Sequence, residues 1–167
     1  MASIRWPTLT FAGELALDLG GKTVRWLHTP GHSPDGVALY VVEDRALFAG
    51  DTVVTGIVPA IGQGDSRQLG ASLRRLAELD IAILVPGHGA PLIGAERVQA
   101  WLAWEGDYLA QVREFARAGL ARGQVPEEIA ANADFAAFIG DRLPSDRHTM
   151  PKRHRDTVLK IAQEEQG

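Results

Sequence analysis

Three stretches decide how this chain is read: Leu27-His28-Thr29-Pro30-Gly31-His32, Leu47-Phe48-Ala49-Gly50-Asp51-Thr52 and Ile83-Leu84-Val85-Pro86-Gly87-His88. In each an apolar run with strand character ends, a glycine turns the chain, and a side chain able to bind a metal follows. Glycine permits the backbone angles of a tight turn and proline fixes the approach. Side chains placed this way, just past the ends of neighbouring strands, can meet at one edge of a sheet, where ligand sites of α/β folds gather. His32, Asp51 and His88 are therefore the candidate site. Each alone also reads as an ordinary turn residue, since Gly-Asp and Pro-Gly are common turn dipeptides.

The donor types suit the chemistry. Neutral imidazole and carboxylate bind Zn²⁺ or Fe²⁺, and one carboxylate can bridge two cations. There is no cysteine, so thiolate ligands and disulfides are excluded. A bridging Asp51 would hold two metals roughly 3.5–4 Å apart, the separation of two-metal hydrolytic sites.

Around these motifs the chain divides by texture. Residues 1–93 are rich in Gly, Pro and β-branched residues; residues 94–167 are rich in Ala, Glu, Arg and Leu at helical spacing. The first part predicts strands over Leu15–Leu19, Thr23–Leu27, Val37–Val42 (apolar enough for burial on both faces), Ala46–Ala49 and Ile81–Val85. A long Gly-rich loop is expected over Asp51–Asp65. Asp65-Ser66-Arg67 reads as the cap of a helix whose inner face is Leu69, Leu73, Leu76 and Ala77. The second part predicts a helix from Ala95 to about Ala118, with Val98, Trp101, Leu102, Tyr108, Leu109, Val112 and Phe115 on one face and Glu105 as its one charged member. Gly119 and Gly123 are expected to end it. Pro126 opens a short helix, and Pro151 a last one with Val158, Ile161 and Ala162 inward.

Length and composition allow a single soluble domain over residues 1–167, an α/β (α+β) fold. The net charge of −4 is spread along the chain, so no nucleic-acid partner is expected. No apolar run could span a bilayer and the N-terminus has no signal h-region, so a cytoplasmic protein off the membrane is expected.

Together with their flanks, Thr29-Pro30-Gly31-His32-Ser33-Pro34-Asp35-Gly36, Phe48-Ala49-Gly50-Asp51-Thr52 and Val85-Pro86-Gly87-His88-Gly89 resemble, in order, the last three metal motifs of the metallo-β-lactamase superfamily. The loop Gly56–Gly62, the following Asp65-Ser66-Arg67 and the tail His154-Arg155-Asp156-Thr157-Val158-Leu159 are similar to the quinoprotein-relay type of zinc metallohydrolase within it. The resemblance implies a hydrolase in which zinc activates water to attack an ester, lactone, thioester or lactam of a small-molecule substrate. His32 would be a ligand of one metal, His88 of the other, and Asp51 the catalytic bridge. One or two zinc ions are the implied cofactor, with iron the lesser alternative.

The sequence departs from the family in one respect. Its five histidines are His28, His32, His88, His148 and His154, so no His-x-His-x-Asp-His motif is present. The resemblance then implies half of an αβ/βα sandwich: one mainly antiparallel or mixed sheet covered by helices on one face, followed by a helical C-terminal region. Such a half is expected to carry an incomplete site and to bury its open sheet face in a homodimer or against a missing N-terminal half. The alternative is a non-catalytic homodimeric or partner-binding protein with a vestigial metal site.

Lesser candidates have simpler readings. His28 is expected to pack at a strand end or support a ligand, and Asp35 to face solvent or orient His32. Arg147-His148 with Lys152-Arg153-His154-Arg155 forms a basic patch, either a solvated helix start or a contact for an anionic substrate or partner. Trp101, Trp104 and Tyr108 read as packing or as a substrate wall, and Gly56–Gly64 as a loop able to line a pocket.

Overall fold

The computed structural model describes residues 8–61, 63–143 and 149–167. Among the described residues six strands form one open sheet in sequence order: β1 (Glu14–Asp18), β2 (Thr23–His28), β3 (Val37–Val41), β4 (Ala46–Val54), β5 (Ile83–His88) and β6 (Leu92–Ile93). β1 to β4 are an antiparallel meander. Helix α1 (Ser66–Ala77) then carries the chain across to β5, which runs parallel to β4. β6 pairs antiparallel at the far edge. The described residues after β6 carry the helices α2 (Ala95–Ala121), α3 (Pro126–Ala131), α4 (Phe135–Ile139) and α5 (Met150–Gln166).

The alternation of the strands sorts the sheet into two unlike faces. Leu27, Ala38, Tyr40, Leu47, Ala49 and Leu84 point one way and are buried in one continuous core with Leu69, Leu73 and Leu76 of α1, Val98, Leu102 and Val112 of α2, and Val158, Ile161 and Ala162 of α5. The other face carries two cross-strand rows. Leu15, Trp26, Leu39, Phe48 and Val85 are successive register partners, as are Leu17, Val24, Val41, Ala46, Ile83 and Ile93. All eleven are apolar, yet Leu17, Phe48, Ile83 and Ile93 are 38%, 47%, 36% and 67% exposed. The expected sheet covered on one face is therefore present, but β3 is not buried on both: Ala38 and Tyr40 are inside while Val37 lies exposed. Its apolar outward residues have no layer over them among the described residues.

The helix faces read from the sequence agree with the packing. Asp65 caps α1, its carboxylate accepting from the Gln68 amide at 2.8 Å. Val158, Ile161 and Ala162 of α5 are fully buried. Several boundaries differ. β4 continues through Asp51 to Val54, so the expected loop is shorter, because β5 extends the ladder alongside it through two register shifts. β5 begins at Ile83 rather than Ile81 and runs to His88. β6 and α4 carry too few residues to show a period. Helix α2 passes through Gly119, where an added Cβ would lie 2.5 Å from Ile129 Cγ1; that glycine admits α3 rather than ending α2. One member of the basic patch is corrected as well. His154 is completely buried, its Nδ1 2.8 Å from the Tyr108 hydroxyl, because it lies on the inner face of α5 with Thr157 and Ile161. Arg147 and His148 lie outside the described residues.

Candidate metal centre

The turns after β2 and within β4 and β5 bring His32, Asp51 and His88 together. Asp51 is central: His32 Nε2 lies 3.7 Å from its Oδ2 and His88 Nε2 3.4 Å from its Oδ1. Each imidazole thus addresses a different carboxylate oxygen. All three remain open to solvent, with side chains 32%, 43% and 62% exposed for His32, Asp51 and His88.

Glycine makes this approach possible. A Cβ at Gly87 would fall 2.3 Å from Asp51 Oδ1 and 2.6 Å from the Gly50 carbonyl carbon, so only a residue without a side chain lets β5 pass the carboxylate. At Gly31, with φ of +145°, a Cβ would overlap the Leu69 backbone at 2.2 Å; its absence lets the His32 turn seat against α1.

A second layer of contacts orients these groups. His32 Nδ1 is 2.7 Å from the carbonyl oxygen of Ala60. A carbonyl can only accept, so Nδ1 carries the proton and Nε2 presents its lone pair toward Asp51. The hydroxyls of Thr29 and Thr52, both buried, are 2.9 Å apart and tie the His32 turn to the residue after Asp51. The Thr55 amide donates to the His88 carbonyl at 2.8 Å, and its hydroxyl to the Ala90 carbonyl at 2.7 Å. Behind them α2 grips the end of β4. Glu105 Oε1 accepts from the Val54 amide at 3.2 Å, and Trp101 Nε1 donates to the Val54 carbonyl at 2.8 Å. Both backbone groups of Val54 are thereby satisfied by side chains of one helix. Glu105 is wholly buried, with Oε2 unpartnered among the described residues; burial pushes its carboxyl well above the usual carboxylate range, against a smaller opposing effect of the Val54 hydrogen bond.

The other candidates fall away from the centre. His28 Nε2 lies 2.9 Å from the Pro34 carbonyl and supports the His32 turn. Asp35 accepts from Ser33 rather than from His32 and faces solvent. Trp101, Trp104 and Tyr108 stack along α2 as packing, with ring centroids 4.8 and 5.9 Å apart. Asp65 acts as a helix cap. Of the Gly56–Gly64 loop, Ala60 serves the centre through its carbonyl.

The donors fit a metal in type and spacing. Two ligands each ~2.1 Å from a tetrahedral zinc stand roughly 3.4 Å apart, close to the two N···O separations here. A fixed Nδ1–H tautomer and the close passage of Gly87 beside the carboxylate agree with that use. Among the described residues, however, no set of three or more His, Cys, Asp or Glu converges on one point. The arrangement is two histidine–carboxylate pairs sharing Asp51.

Comparison with known proteins agrees with the fold. The profile of the metallo-beta-lactamase superfamily matches residues 9–88. Over 144 residues the chain is 28% identical to a linear primary-alkylsulfatase of a Pseudomonas species, covering 83% of this chain and 27% of that protein. It is 32% identical over 158 residues to an atrochrysone carboxyl ACP thioesterase of Aspergillus fumigatus, covering 87% of this chain and 48% of the relative. Among solved structures it resembles a metallo-beta-lactamase family protein of Thermus thermophilus, with a TM-score of 0.63 at 22% identity over 96% of this chain and 50% of that one. The chain thus spans from about a quarter to about half the length of these relatives. With the three motifs in order, the matching profile and these relatives, the chain belongs to the metallo-β-lactamase superfamily.

Proposed function

We propose that His32, Asp51 and His88 contribute to a zinc-dependent hydrolytic centre, with Asp51 shared between two metal positions. The observation that carries this reading is that the two Nε2 atoms face opposite oxygens of one carboxylate. Zinc in such a centre supplies an acidified water and a Lewis acid for the electrophile. The chain's own residues hold the geometry. Ala60 keeps His32 in the tautomer that offers Nε2, Gly87 leaves Asp51 room, and Val54, clamped by Glu105 and Trp101, fixes the strand between them. The substrate is a small molecule with a hydrolysable ester, lactone, thioester or lactam. The relatives named as an alkylsulfatase and a thioesterase support an ester or thioester. Because this chain offers each metal position one histidine and one carboxylate oxygen, the centre is incomplete with these residues alone, and further ligands come from water, another segment or another chain.

Elemental analysis after dialysis against zinc and against ferrous iron tests this reading. Zinc retained in proportion to protein, and lost in His32→Ala and Asp51→Ala, supports it. Retention unchanged by either substitution contradicts it. Preferential retention of iron would replace zinc in the account.

A second reading has its own observation. The exposed rows containing Leu17, Phe48, Ile83 and Ile93 form an apolar sheet face of the kind that marks an interface. In this reading two copies pair through that face as a non-catalytic or partner-binding dimer with a vestigial metal site, burying more than ~2,000 Å². A monodisperse monomer in sedimentation velocity would contradict it.

A further inference from the structure

A cleft of about 450 Å³ lies between Ala60 and Ile61 on one side and α5 on the other. Its α5 wall is Thr149, Lys152, Arg153, Asp156, Thr157 and Lys160. That wall holds three cations and one anion, in a protein whose overall charge is negative. The cleft's size is within the range of small-molecule sites. It also adjoins the metal centre: Ala60, which lines it, is the residue whose carbonyl binds His32.

The wall is held in shape by its backbone contacts. Arg153 Nε donates to the Val58 carbonyl at 2.7 Å, and the Thr157 hydroxyl to the Pro59 carbonyl at 3.0 Å. These two bonds fix α5 against the segment that leads to Ala60, and the first restrains the Arg153 guanidinium beside it. Lys152 pairs with Asp156 at 2.6 Å across one turn, with both side chains well exposed. Lys160 is only 3.8 Å from Glu164, a carboxylate already engaged by the Ser66 amide and hydroxyl. The exposed Lys152–Asp156 pair contributes little, and Lys160 meets the largely buried Glu164 carboxylate only at 3.8 Å. Both are available to exchange their partner for a ligand.

We propose that this cleft is an oxyanion subsite: it receives a carboxylate, sulfate or phosphate group carried by the substrate, and Lys152, Arg153 and Lys160 supply the charge. The inference rests on reading His32, Asp51 and His88 as the hydrolytic centre. The substrate class is then a small organic anion whose hydrolysable bond reaches His32 while its charged end lies beyond Ala60.

The 167-residue chain, titrated at low ionic strength with inorganic phosphate, sulfate, acetate and neutral acetamide, tests this by amide chemical-shift mapping. Saturable shifts at Ala60, Arg153 and Lys160 with at least one oxyanion, and none with acetamide, are expected; the three anions show which oxyanion the cleft prefers. The Lys152→Gln/Lys160→Gln double variant should weaken that binding at least fivefold, while zinc retention stays as in the parent. Non-saturating shifts, equal response to acetamide, or unchanged affinity in the double variant would overturn the subsite. The single Lys152→Glu variant, at an exposed position, should also weaken binding, and its amide spectrum reports directly that the fold is kept. If oxyanions saturate the cleft but no zinc is retained, the subsite stands and the metal reading falls; if zinc is retained and no oxyanion saturates, the reverse holds.

Discussion

The Nδ1 of His32 is 2.7 Å from the carbonyl oxygen of Ala60. This contact decides which nitrogen faces Asp51, and it couples the candidate metal centre to the loop that lines the cationic cleft. A backbone acceptor cannot be removed by substitution, but its effect can be observed. Tautomer-sensitive nitrogen shifts of the His32 ring should show the Nδ1–H form at neutral pH without metal. The Nε2–H form would mean that the lone pair points away from Asp51.

Gly87 is the narrowest point beside the carboxylate. A Gly87→Ala methyl overlaps Asp51 Oδ1 and the Gly50 backbone. The substitution should cost about 1–3 kcal/mol of stability as overpacking and weaken zinc binding about tenfold or more by displacing Asp51. Urea unfolding and a competitive zinc titration measure the two effects. Zinc affinity equal to the parent would show that Asp51 is not a ligand.

Glu105 predicts a fall in stability with rising pH. Its folded carboxyl titrates well above the usual range because it is buried, so the folded state keeps a proton that the unfolded state releases once pH exceeds the ordinary value. Folding then binds a proton, and stability declines above that value by up to about 1.4 kcal/mol per pH unit until the folded group itself ionises. Glu105→Gln keeps an acceptor for Val54 and should flatten this decline. Chemical denaturation from pH 5 upward makes the comparison, and parallel curves for the two proteins would contradict it.

His154 has the opposite sign. Burial, and secondarily the charge of Arg155, lowers it from 6.5 to about 4. Between those values the unfolded state takes up a proton that the folded state refuses, so stability rises with pH across that window and is lost as pH falls through it. The full effect is about 3 kcal/mol. His154→Gln should remove the acid sensitivity in that window, as read by urea midpoints at pH 4.5 and 7.

Much of this arrangement is legible in the residues. A strand, a glycine and a donor recur at His32, Asp51 and His88, and Gly31 and Gly87 are among the glycines whose added Cβ atoms would collide. Helix faces follow their period, as at Leu69, Leu73 and Leu76. Supporting contacts are not legible, because they depend on who faces whom across the fold. Thr29 and Thr52 look like any two threonines until their hydroxyls meet. Glu105 is visible only as a charge on an apolar face, and its role requires Val54 to lie opposite. His154 sits in a run of cations that suggests solvent, whereas the helical period places it inside. The length of β4 past Gly50 depends on its parallel partner.

The exposed sheet face yields its own prediction. If two copies pair there, Phe48→Lys should shift a dimer to monomer without unfolding it, since Phe48 is 47% exposed in the single chain. Sedimentation velocity and circular dichroism report the two outcomes, and a dimer that persists in the variant would place the contact elsewhere.

That His32, Asp51 and His88 bind metal together is tested most directly by competitive zinc titration of the parent, His32→Ala, His88→Ala and Asp51→Ala. Loss of either histidine should weaken binding, and loss of Asp51, shared by both pairs, should weaken it more than loss of either histidine. Equal zinc affinity in all four proteins would contradict the shared centre.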